Sequence, residues 1–179
     1  MSNENAQALV TTDWLAGKLD NPDVVVLDGT YHLPTAKRDA EAEFAAKHIP
    51  GAIRFNIDAI CDPDDPLPHM MPTPELFAAK VSALGIGNEQ RVVVYDVYGM
   101  QSAARTWWMF RVFGHDNVSV LNGGLPKWEA EERPITAETK LRMVTNFAAG
   151  FRPELVRGID DVRAVVEAGG AQIVDARTI

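Results

Sequence analysis

The chain has 179 residues, a net charge of −8 and 46% hydrophobic residues. That length suits one domain, or one domain and part of another, with enough apolar side chain for a packed core. The acidic balance repels nucleic-acid phosphates and argues against a nucleic-acid partner. A single cysteine, Cys61, excludes an internal disulfide and fits a reducing compartment. The segment from Met1 to Gln7 has neither the basic region nor the apolar run of a signal peptide, and no apolar stretch approaches membrane-spanning length. The expectation is a soluble cytoplasmic protein with no membrane partner.

Taken in chain order, Thr12 or Asp13 caps a short helix to Leu19, ended by Asn21-Pro22. Val24 to Asp28 is a β-branched apolar run of the buried-strand type. Asp39 to Lys47 has helical composition, and His48-Ile49-Pro50-Gly51-Ala52 turns into a short strand, Ile53 to Phe55. The following loop carries Pro63, Pro66, Pro68, Pro72 and Pro74, and so many fixed φ angles make it stiff. A helix starts at Pro74 or Glu75 and stops at Gly85. Val92 to Tyr95 reads as a second buried strand, Ser102 to Phe113 as a helix stopped by Gly114, and Val118 to Leu121 as a third strand closed by Asn122-Gly123-Gly124. Strands alternating with helices imply an α/β fold, a parallel sheet with helices on both faces.

From Glu129 to Gly150 the texture is polar and reads as a connector, with Arg142-Met143-Val144 as a possible edge strand. The opening pattern then returns. Leu155-Val156, a helix-like stretch from Gly158 to Val165 and a strand ending at Asp175 repeat the order Leu9-Val10, helix, Asp28. The organisation expected is a first unit over 9–134, a connector over 135–154, and the start of a second copy over 155–179.

Chemistry in open α/β sheets gathers at the carboxyl ends of strands, where helix N-termini favour anions. The loop in that position, Asp96 to Gln101, holds no Cys, His or Lys. Cys61 lies elsewhere, among Asp58, Asp62, Asp64 and Asp65, which disfavour a thiolate. His32, His48, His69 and His115 are scattered without metal-ligand spacing, and no glycine-rich nucleotide loop appears. No metal and no cofactor are expected. His48 reads as a structural turn residue, His115 as lying at a helix end that favours a cation, and Arg105 as a partner for Asp96. Arg177 follows the Asp175 strand end, a place from which a guanidinium can fork onto a small anion.

Several blocks resemble the two-domain sulfurtransferases of the rhodanese superfamily: His48 to Ala52, Phe55 to Asp58, Pro66 to Pro72, Val94-Tyr95-Asp96, Ser102 to Arg105, Trp107 to His115 and Leu121 to Trp128. The resemblance implies a catalytically silent first domain and a nucleophilic cysteine in the second, beyond Ile179. It implies a sulfurtransferase with 3-mercaptopyruvate or thiosulfate as its anionic donor. Sulfur would pass through a cysteine persulfide to cyanide or to a thiol, either small or thioredoxin-like. It assigns Arg177, in Asp175-Ala176-Arg177, to the donor's anionic group, and His69 with Asp58 to a proton relay facing the second domain. On the residues alone, Asp58 serves equally well as a turn cap and His69 as a packing residue. The 179 residues by themselves are expected to be inactive. The rival reading is a non-catalytic rhodanese-like binding or regulatory module. A phosphatase of similar fold is disfavoured, because Val97 stands where its cysteine would open the loop.

Overall fold

The computed structural model describes residues 7–175. Five strands, β1 (Leu9–Val10), β2 (Val24–Asp28), β3 (Ile53–Arg54), β4 (Arg91–Tyr95) and β5 (Val118–Leu121), form one sheet in the order β1-β5-β4-β2-β3. Every pairing is parallel. The helices are α1 (Thr12–Ala16), α2 (Ala40–Ala46), α3 (Pro74–Ala83), α4 (Ala103–Val112), α5 (Gly124–Ala130) and α6 (Ile159–Ala168).

The pleat sends alternate side chains to opposite faces, and both faces are covered. Val25, Leu27, Val92, Val94, Val118 and Val120 pack with Phe77 of α3 and Phe110 of α4. Val10, Val26, Val93, Tyr95 and Leu121 pack with Leu15 of α1, Phe44 of α2, and Leu125 and Trp128 of α5. This double burial is why the strands read as continuous apolar runs rather than as alternating ones.

Local chemistry sets the helix ends. Thr11, one residue ahead of the expected cap, accepts the Trp14 amide, and α1 ends at Ala16 rather than Leu19. Asp39 caps α2, Thr73 caps α3, and Gly85 (φ 75°) and Gly114 (φ 86°) adopt the left-handed turns that stop α3 and α4.

The connector differs from its expected form. Residues 142–144 add no strand; Arg142 donates to the Gly85 carbonyl at 3.2 Å, while Met143 and Val144 are exposed. That stretch crosses the end of α3 at Gly85 and pairs with no strand of the sheet. The connector is nevertheless anchored. His48 and Thr136 form an antiparallel bridge, and Phe147 is buried beside Phe77 and Phe110. Arg152 makes a two-pronged pair with Asp116 at 2.6 and 2.8 Å.

In the segment expected to repeat the opening pattern, α6 forms, with the Gly158 amide donating to the Asp161 carboxylate at 2.9 Å. Leu155 closes a 3-10 turn, and Ile173 and Val174 join no ladder among the described residues. A strand needs a neighbour: β1 exists by pairing with β5, and Leu155-Val156 has no such partner in the described chain.

Candidate functional site

The loop after β4 is built around one carboxylate. Asp96 is fully buried. Its Oδ1 accepts the amides of Tyr98, Gly99 and Met100 at 2.9, 2.8 and 3.1 Å, and its Oδ2 accepts the Ala103 amide at 2.7 Å. The anion cradle expected at this strand end is present, and the protein's own anion fills it. Glycines let the neighbouring turn come close. A Cβ on Gly124, whose φ is 55°, would meet the Asp96 carbonyl at 2.5 Å and the Gly99 Cα at 2.9 Å.

Beside this loop lies a cleft of about 530 Å³, walled by Tyr31, His69, Tyr98, Ser102 and Arg105 among others. The structure brings His69 and Asp58 together: His69 Nε2 lies 2.6 Å from Asp58 Oδ1. A carboxylate only accepts, so Nε2 carries a proton, and Nδ1 is the nitrogen left to act as a base in the neutral tautomer. Asp58 is available because the turn cap is Asn56, whose side chain accepts the Asp58 amide at 2.9 Å. His69 has φ 60°, a left-handed conformation rare for a residue with a side chain. Its ring meets Tyr31 edge-on at 4.7 Å.

Arg105 does not pair with Asp96, whose oxygens are taken by backbone amides. Its Nη2 donates to the His69 carbonyl at 2.5 Å and to the Met71 sulfur at 3.5 Å, and the guanidinium stacks over Trp108 at 4.7 Å. Burial pulls the Arg105 pKa down, opposed by the nearby Cys61 sulfur. The Cys61 thiol donates to the Asp58 carbonyl at 3.1 Å and stands outside the β4 loop.

The rhodanese-like domain family profile matches residues 11–131. The chain belongs to the rhodanese family. It is 40% identical to thiosulfate/3-mercaptopyruvate sulfurtransferase 1, mitochondrial, of Arabidopsis thaliana over 99% of its own length and 52% of that protein. It is 38% identical to the 3-mercaptopyruvate sulfurtransferase of Escherichia coli K12 over 94% of its length and 60% of that protein. The crystal structure of a 3-mercaptopyruvate sulfurtransferase from Escherichia coli superposes with a TM-score of 0.89 at 38% identity, covering 96% of this chain and 66% of that one. The chain therefore spans about half to two thirds of the relatives it matches.

Within this rhodanese fold, a second polar group, which meets the cleft only through Tyr98, was not visible in the sequence. His32 is buried, with Nδ1 2.7 Å from Tyr98 Oη and Nε2 3.1 Å from Glu43 Oε2. Arg38 forks onto Glu43 with two bonds of 2.7 Å and holds that carboxyl below its usual range. The positions 32, 43 and 98 share no sequence period. The one signal was their topology, because Tyr31-His32 leaves the carboxyl end of β2 beside the β4 loop.

His48 is structural: it is buried, its ring nitrogens meet the Phe44 and Glu138 carbonyls at 2.7 and 3.2 Å, and it stacks on Phe44. His115 corrects its expectation. It is packed against Phe110 and Phe147, and burial lowers its pKa, so the neutral ring is favoured over the cation. Among the described residues no cluster of three or more potential ligands could hold a metal, and no helix is long and apolar enough to cross a membrane. Arg177 lies outside the described residues.

Proposed function

We propose that this chain is the non-nucleophilic first unit of a sulfurtransferase using 3-mercaptopyruvate or thiosulfate. The observation that carries the reading is the β4 loop. It has the geometry of an anion-holding catalytic loop, yet Asp96 occupies it and no cysteine stands in it. The nucleophile then belongs to the second copy that begins near Leu155, beyond Ile179.

In the intact enzyme a cysteine thiolate attacks the donor's outer sulfur. With 3-mercaptopyruvate the carbon–sulfur bond breaks, and pyruvate leaves as its enolate and takes up a proton. With thiosulfate the sulfur–sulfur bond breaks and sulfite leaves. The resulting cysteine persulfide gives its outer sulfur to cyanide, forming thiocyanate, or to a thiolate, forming the acceptor's persulfide; either regenerates the cysteine thiolate. The acceptor is a small thiol or a thioredoxin-like protein. His69, oriented by Asp58, holds or delivers the proton this sequence needs, and Arg177 forks onto the donor's anionic group. No resident cofactor or metal takes part. A cytoplasmic location goes with this reading, since a reducing compartment keeps the exchanging thiols reduced.

The test is thiocyanate formation from either donor and cyanide. The 179-residue chain is expected to be inactive, and a longer chain that includes the whole second unit is expected to turn over. In the longer chain His69→Ala and Asp58→Asn are each expected to lower kcat by about 10² or more. Turnover by the 179 residues alone that is abolished by Cys61→Ser would overturn the reading.

A further inference from the structure

Six arginines sit against carboxylates: Arg38 on Glu43, Arg54 on Glu41, Arg111 and Arg152 on Asp116, Arg133 on Glu131 and Arg163 on Asp160. Arg105 is half-buried and meets no carboxylate among the described residues. A guanidinium has five N–H donors. Nη2 is engaged by the His69 carbonyl and the Met71 sulfur, and Nε is sealed without an acceptor. Nη1 makes no hydrogen bond among the described residues and is not one of the sealed atoms, and Arg105 is a wall residue of the cleft.

A partly desolvated cation without a counter-charge is unfavourable. Its stacking on Trp108 offsets only part of that cost. The neighbouring groups have the matching sign. Ser102 Oγ accepts the Tyr31 amide at 3.1 Å, so the hydroxyl proton remains as a donor at the cleft wall. The Asp58 carboxylate, which meets the cleft through His69, is already committed to that ring.

We propose that Arg105, with Ser102, is a binding site for a small oxyanion in the Tyr31–His69–Tyr98 cleft. A carboxylate or a thiosulfate group fits the donors present. The anion would complete the charge of Arg105 while Nη2 keeps its hold on the His69 backbone, so the ligand and the His69 ring share one support. Identifying the anion as the sulfur donor or its product rests on the sulfur-transfer reading. The binding itself rests only on the unpaired guanidinium.

The experiment is calorimetric titration of the 179-residue chain with pyruvate and, separately, with thiosulfate. Saturable binding of at least one is expected, weakened at least 10-fold in a folded Arg105→Gln variant, with folding checked by far-ultraviolet circular dichroism. Should that variant not fold, the unaltered chain decides: the arginine side-chain ¹⁵N resonance of Arg105, assigned with Arg105→Lys, is expected to shift saturably with the same anion. Equal affinity in Arg105→Gln, no binding of either anion, or an unmoved Arg105 resonance overturns the proposal. Failure of sulfur transfer in a longer chain would leave this binding intact, so the two readings fall separately.

Discussion

The carboxylate of Asp96 shows how one side chain decides what a loop can do. Four amides converge on it, and charge-assisted bonds of this kind are among the stronger ones. Asp96→Asn keeps the size but must point its NH₂ at either the Ala103 amide or the three loop amides. A loss of about 2 kcal/mol is expected, read as a lower urea midpoint with an unchanged m-value. His115 gives a prediction in pH. Burial lowers its folded pKa, while the unfolded chain titrates near the ordinary value of about 6.5. The unfolded state therefore takes up the proton first. The stability His115 contributes is present above about pH 6.5 and is lost as pH falls from there through the folded pKa. His115→Asn should flatten the dependence of the urea midpoint on pH in that window. The acid-side loss from Glu43 and Asp116, whose pKa values are also lowered, starts only near the ordinary carboxylate range and should remain. Little of this was legible beforehand. The Asp58–His69 pair was suggested by resemblance, but Arg105 was assigned to Asp96, because a sequence does not reveal that backbone amides have already filled a carboxylate's lone pairs.

Elements were far more legible than contacts. The strands β2, β4 and β5 announced themselves as short apolar runs rich in valine, and α3 and α4 by their opening residues and stopping glycines, since these depend on neighbours in sequence. The connector was not legible. Its polar stretch hides Phe147, a single aromatic that closes a cluster with Phe77, Phe110 and His115. One buried ring in a polar segment has no period to detect. Its weight is testable by comparison within the same segment. Phe147→Ala is expected to cost about 3–4 kcal/mol, as deletion of a buried aromatic does. Met143→Ser, at a site 88% exposed, should stay within about 0.5 kcal/mol of the unaltered chain. Equal effects in urea unfolding would mean that the connector is not part of the folded core. The failed edge strand at Arg142–Val144 teaches the same lesson from the other side: a local β-like run becomes a strand only where a ladder is within reach.

For the whole molecule, order should be graded. The parallel sheet is covered on both faces by helices, and β4, at its centre between β5 and β2, is buried on all its apolar positions. In contrast, α6 has an apolar stripe of Ile159, Val162 and Val166 at helical spacing, with Ile159 72% and Val166 69% exposed. An amphipathic helix derives most of its stability from packing that stripe. Ten residues without it are short of what holds a helix in water. Opening of α6 should therefore proceed without opening the sheet. Native-state hydrogen exchange of the 179-residue chain is expected to show amides of β4 and β5 exchanging only through global unfolding, with protection that falls in step with added denaturant. Amides of α6 should be at least 10³-fold less protected and insensitive to low denaturant, the mark of a local event. Equal protection in α6 and β4 would mean that α6 is held by contacts as strong as those of the sheet, and the expected grading of order would be wrong.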